Sequence, residues 1–231
     1  MMEYFVDQQK YFYPIAAHMI IVNIFGSIIL LSTEVSTITL IQHICGLYKI
    51  ISYRIDHTFV PNIPGLSPAE RNIVIHRRIA SLVNLHRRVK EYISILQKNY
   101  STAYFFLFML GIIVCTLSVP QFVKAIMNNN KDLDELFRFL FLTCSILCCE
   151  FIDNHFAQEL INHSSHILIH IYNTEWYKIS LAEQKLLLIL MQICSKNESI
   201  VVGGIVILSY RGFLLMIQTS FSYFMLIYSI D

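Results

Sequence analysis

The chain has 231 residues, of which 55% are hydrophobic and 14% charged, and its formal net charge is +1. That balance, with a positive mean hydropathy, excludes an ordinary soluble domain. Its basic residues gather in one loop rather than on a face, which excludes a nucleic-acid surface. Six cysteines (Cys45, Cys115, Cys144, Cys148, Cys149, Cys194) without paired spacing argue against a disulfide framework.

The first ten residues, MMEYFVDQQK, are polar and acidic and do not read as a signal peptide. Tyr11 to Thr33 then runs uncharged between Lys10 and Glu34, with Tyr11, Phe12 and Tyr13 at its start, as suits a membrane span opened by an interfacial aromatic belt. Residues 35–98 follow as a long basic segment. Pro61, Pro64, Gly65 and Pro68 break the chain. From Asn72 to Lys98, Ile75, Ile79, Leu82, Val83, Val89, Tyr92, Ile93 and Leu96 keep the spacing of an amphipathic helix.

Asn99 to Val123 is the clearest span. It lies uncharged between Lys98 and Lys124, and at ~1.5 Å per residue it exceeds a ~30 Å hydrocarbon core. Before it stand Arg77, Arg78, Arg87, Arg88, Lys90 and Lys98 against Glu91 alone. Such an excess marks a cytoplasmic loop, so this span is expected to leave the cytoplasm and the others to alternate around it.

Asn128 to Asp134 then reads as a short external turn and Leu133 to Ile152 as a third, weaker span. Its uncharged core between Arg138 and Glu150 is short enough to need tilting or packing. His155 to Glu198 returns to the cytoplasm. Within it Leu181 to Cys194 carries an apolar stripe, with Ser180 and Glu183 at capping-box spacing. Ser199 to Ile230 is the last span, near 48 Å at ~1.5 Å per residue. Gly203, Gly204 and Gly212 offer places for it to bend. Both ends of the chain then fall outside, so the expectation is a fragment lacking an odd number of upstream spans.

Few constellations suggest chemistry. Glu159, His163, His166 and His170, with Asp153 and His155 nearby, share a helical stretch, but Glu159 and His170 lie roughly 16 Å apart along it at ~1.5 Å per residue. One ion cannot reach them all, and a solvated face is the simpler reading, so no metal site is assigned. Cys144, Cys148 and Cys149 behave as small hydrophobes in a span. There is no nucleophile elbow, phosphate loop or carboxylate pair, so no catalytic residue and no cofactor is assigned and the expectation is not an enzyme. Arg211 fits either a functional, cavity-facing charge or snorkelling to the cytoplasmic interface. His18, Asn23 and Ser27 near one face of the first span, and Gln218, Thr219, Ser220 and Ser222 on the last, fit helix packing, and the strip on the last span fits a water-filled path equally. Phe12, Tyr13, Phe122, Phe137, Phe139 and Phe141 suit either lipid contact or an apolar pocket.

The stretches DQQKYFYPIAAHMIIV, IQHICGLYKIISYRI, NLHRRVKEYISIL, ELINHSSHILIHIYNTEWYKISLAEQKLLLILMQ and FLLMIQTSFSYFMLIYSI resemble insect odorant receptors over essentially the whole chain. Tyr172, Trp176, Tyr177 and the closing Ser222-Tyr223-Phe224 are the most specific marks. The resemblance implies an all-α membrane protein, a bundle of four transmembrane helices with long cytoplasmic helical extensions, forming part of a seven-helix receptor. Residues 1–34 would be its fourth span, 35–98 a cytoplasmic helical segment and 99–127 the fifth span. Residues 128–158 would hold the external turn and sixth span, 159–198 a cytoplasmic lead-in, and 199–231 the pore-lining seventh span.

The implied function is an odorant receptor subunit, a ligand-gated non-selective cation channel in sensory-neuron membranes. It would assemble as a hetero-tetramer with a co-receptor, amid lipid, and take small volatile odorants. On the same basis His18, Val22, Phe139 and Leu142 are candidate ligand contacts, and Leu226 and Ser229 candidate gate and pore residues. Alternatives are a gustatory receptor of the same superfamily, a non-functional receptor fragment, or a four-span structural or transport protein.

Overall fold

The computed structural model describes residues 11–58, 67–127 and 133–230, with side chains left out at 58, 68, 122–127, 133–136, 227–228 and 230. The external turn expected at 128–134 lies almost wholly outside these residues, as do Pro61, Pro64 and Gly65. Among the described residues five helices follow in order: α1 (Phe12–Thr58), α2 (Pro68–Met127), α3 (Leu133–Asn173), α4 (Leu181–Cys194) and α5 (Tyr210–Ile230). A 3-10 turn at Trp176–Lys178 precedes α4. A two-stranded hairpin, β1 (Val201–Val202) and β2 (Val206–Ile207), precedes α5. Three stretches, Phe12–His57, Ala69–Gln121 and Phe137–Asn173, are long and apolar enough to cross a membrane. At 21 residues α5 is about 31 Å long, also enough for the hydrocarbon core.

The chain divides into two compact units, Met1–Leu40 and Ile41–Asp231. In the first, Ile20, Ile21, Ile24, Phe25, Ile28 and Leu31 are all exposed. Several of its polar groups bond within the helix: the Asn23 amide donates to the Met19 carbonyl (2.8 Å) and the Thr33 hydroxyl to that of Ile29 (2.9 Å). A helix with apolar side chains exposed on every side and such polar atoms bonded to its own carbonyls is suited to lipid.

The second unit holds the core, and the core lies mainly in helix extensions beyond the uncharged runs. On α1, Ile41, Ile44, Tyr48, Ile51 and Ile55 repeat at three and four residues and are buried. They join Ile75, Ile79, Leu82, Val89, Ile93 and Leu96 of α2, Leu160, Ile167 and Ile171 of α3, and Leu187 and Leu190 of α4 in one cluster. Each such side chain stabilises the bundle by roughly 1.5–3 kcal/mol on burial. Val83 and Tyr92, expected on the same stripe, are exposed, because the packed seam of α2 is narrower than its apolar one.

Two helix starts differ from expectation. α2 begins at Pro68 rather than Asn72, and Pro68 sits inside its first turn instead of breaking the chain. Ser67 and Glu70 form the reciprocal cap: the Ser67 backbone N–H donates to Glu70 Oε2 (2.9 Å) and the Glu70 N–H to the Ser67 hydroxyl (3.3 Å). Ser180, by contrast, holds the N-cap position of α4 without a side-chain cap bond. Its expected partner Glu183 falls on the buried seam with Leu187, Leu190 and Cys194, and its Oε1 lies 3.7 Å from His76 Nδ1 of α2. Packing on α2 wins over the local cap.

The stretch expected as one long span from Ser199 is also divided. Val201 pairs with Ile207 and Val202 with Val206, and Gly203 and Gly204 adopt φ +60° and +72° in the turn between them. Two successive positive φ angles are what a type I′ turn requires and what glycine permits. The excess length of the stretch is taken up by this hairpin.

Candidate functional site

The start of α5 is held against α3 by polar atoms that the sequence reading did not single out. Asn154, fully buried on α3, donates to the Glu150 carbonyl (2.8 Å) and accepts from the Ser209 backbone N–H (2.9 Å). The Ser209 hydroxyl in turn accepts from the Gly212 N–H at 3.1 Å, closing the first turn of α5 as an N-cap does. His155 Nδ1 lies 2.7 Å from the Tyr210 hydroxyl, and Phe151 packs edge-on to Phe213 at 5.5 Å. A Cβ on Gly212 would stand 2.5 Å from the Ile207 carbonyl oxygen, so only glycine lets hairpin and helix approach here. The serine followed three residues later by glycine, at the head of an apolar run, was the available signal.

From that anchor α5 shows two faces. Gly212, Met216 and Ser220, spaced by four, are buried, and Phe213, Thr219 and Phe224 are half-buried beside them. On the other side Arg211, Leu215, Gln218, Ser222, Leu226 and Ser229 are all exposed. Ser222 donates to the Gln218 carbonyl (2.9 Å) and Ser229 to that of Leu226 (2.8 Å), so the hydroxyls are satisfied and still line the exposed stripe. Leu226, 56% exposed, and Ser229 stand one turn apart on it. Arg211 lies in the first turn of α5, exposed, rather than in the middle of a span.

The other candidates fall into separate units. His18 and Val22 are one turn apart and exposed on α1, in the first unit. On α3, in the second, Phe139 is half-buried and Leu142 is 42% exposed. Thr143 donates to the Phe139 carbonyl (2.8 Å) and sits 2.8 Å from the Ser118 hydroxyl of α2, fixing α3 beside α2 at this level. Phe12 and Tyr13 meet edge to face at 5.7 Å; with Phe137 and Phe141 they are exposed, and the Phe122 side chain lies outside the described residues. The histidine-bearing stretch is dispersed among partners: His163 lies 3.7 Å from Glu159 and His170 3.0 Å from Asp56, while His155 turns to Tyr210. Among the described residues no three histidine, cysteine or acidic side chains group to hold a metal.

The model of the family described as 7tm odorant receptor matches residues 1–221. The chain belongs to that family. It is a family of receptors, not of enzymes, and the all-α membrane architecture accords with it. The structure of the insect olfactory receptor OR5 from Machilis hrabei in complex with eugenol shares this odorant-receptor chain's fold with a TM-score of 0.79 at 15% identity. The match covers 99% of the chain and 56% of OR5, so the chain spans little more than half of that receptor's length. No curated protein matches it significantly.

Proposed function

We propose that the chain is part of an odorant-gated, non-selective cation channel subunit, paired with a co-receptor in a hetero-tetramer in the plasma membrane of sensory-neuron dendrites. The observation that carries this reading is the exposed stripe of α5. A helix of membrane-spanning length that packs through Gly212, Met216 and Ser220 presents Gln218, Ser222 and Ser229 away from its own chain. Ser222 and Ser229, paired within the helix, tolerate either surface, and it is their alignment with Gln218 in one exposed polar stripe that favours a water-filled path, where such groups replace hydration.

In this reading the stripe faces the channel axis, Leu226 narrows it and Ser229 lines its mouth. His18 and Val22 on α1, and separately Phe139 and Leu142 on α3, are the side chains this reading assigns to contact with a small, mostly apolar odorant. The complex of OR5 with eugenol supports a small organic ligand for the family's fold. The helix extensions and α4 lie in the cytoplasm.

The test uses currents from cells expressing a receptor that contains this chain together with its co-receptor. Leu226→Ala is expected to raise basal current severalfold and Ser229→Ala to change relative cation permeability. Unchanged basal current and selectivity in both variants, at normal surface expression, overturn the pore assignment.

A further inference from the structure

Where α1 ends against α2, a cavity of about 300 Å³ is lined by Tyr53, Arg54, His57, Arg78, Ser81 and Leu82. We propose that it binds a soluble phosphate-bearing anion. Two guanidinium groups, an imidazole and a hydroxyl converge on it from two helices. Arg54 Nη1 donates to the Ser81 hydroxyl at 3.4 Å, and Arg78 Nη1 to the His57 carbonyl at 3.1 Å, so both forks are held at the cavity wall. The His57 ring stacks on Tyr53 at 4.1 Å and its Nδ1 lies 2.8 Å from the Tyr53 carbonyl, which fixes the imidazole beside them. Buried Leu82 closes one side of the cavity, and Tyr53, Arg54, His57 and Ser81 stand exposed around its mouth, within reach of a solute. The nearby carboxylate of Asp56 is engaged by His170 at 3.0 Å. Paired planar forks with a hydroxyl between them suit the oxygens of a phosphate group.

A phosphate can come from a lipid headgroup or from solution, and depth favours solution. Arg78 precedes the uncharged run of α2 at Asn99 by about 21 residues, roughly 32 Å of helix. His170, in contact with Asp56, lies about 20 residues beyond Glu150 on α3, roughly 30 Å. Headgroups extend only about 5–8 Å beyond each side of the hydrocarbon core, so a lipid phosphate falls short.

The proposal is independent of gating and is tested on the purified full chain in detergent, titrated calorimetrically with inorganic tripolyphosphate. Saturable binding is expected, weakened roughly tenfold or more by Arg54→Gln and by Ser81→Asp, the second placing a carboxylate at the wall. Arg87→Gln and Arg88→Gln, exposed on the same helix outside the cavity, are expected to leave it within about twofold. A second arm offers phosphoinositide-bearing nanodiscs. The proposal is overturned by no saturable binding, by equal losses in the control variants, or by Arg54-dependent binding to the nanodiscs alone.

Discussion

At Gly203 a single missing carbon decides the local structure. Its φ is +60°, and a Cβ built there would lie 2.3 Å from Cδ2 of Phe105 on α2. Gly204, at φ +72°, has nothing within 4 Å of the same atom. Alanine at Gly204 therefore meets only the backbone cost of a left-handed residue, about 1 kcal/mol. At Gly203 it must also displace a ring, raising the cost to roughly 2–4 kcal/mol. Thermal unfolding in detergent should show Gly203→Ala falling clearly below Gly204→Ala; equal midpoints would mean that the hairpin is not pressed on α2. Ser101 strengthens that contact, donating to the Val201 carbonyl (2.9 Å) and accepting from the Gly203 N–H (3.1 Å).

Among the elements, the seam of α1, α2 and α4 encloses a histidine whose burial has a consequence for stability at acid pH. His86 on α2 is buried, edge-on to Tyr48 at 6.3 Å and 4.0 Å from the Cys194 sulfur. Burial holds its imidazole below the ordinary histidine range, Lys90 pushes the same way, and Glu198 opposes both. Burial likewise pushes the Cys194 thiol up to about 11, so it stays protonated and is no nucleophile. The folded seam thus binds fewer protons at His86 than the unfolded chain does. Its contribution to stability is complete above the unfolded value, near pH ~6.5, and is lost as pH falls from there toward the lowered folded value. Unfolding midpoints should drop between pH 7.5 and 5, and His86→Leu should flatten part of that slope; His163, also lowered by burial, keeps the rest. An unaltered slope in His86→Leu would remove the seam from the account.

For the whole molecule, orientation is the property on which the functional reading turns. Three Asn-x-Ser sequons exist, at Asn99, Asn162 and Asn197, and all three asparagines are exposed. If the extensions lie in the cytoplasm, as the basic loop before Asn99 argues, none meets the glycosylation machinery of the lumen. A receptor containing this chain should show no endoglycosidase-sensitive shift from these sites. A shift that disappears in Asn162→Gln means an inverted topology, and the proposed channel reading falls with it.

Much of this protein is written in one dimension because a bilayer and a helix seam both impose simple periods. The uncharged run from Asn99 to Val123 needs only length and the absence of charge to be read, and the repeat from Ile75 to Leu96 needs only spacing near 3.6 residues. Membership of the odorant-receptor family was equally legible, from a resemblance running along essentially the whole chain. Tertiary structure decided what depends on a partner distant in sequence. Glu183 abandons a cap for the seam beside His76, and Asn154 reaches Ser209 across 55 residues. Arg54 and Arg78 meet at one cavity because two helices, each amphipathic for its own reasons, pack antiparallel faces together there. Periodicity reports which face is buried; it carries no record of which side chain waits on the other side.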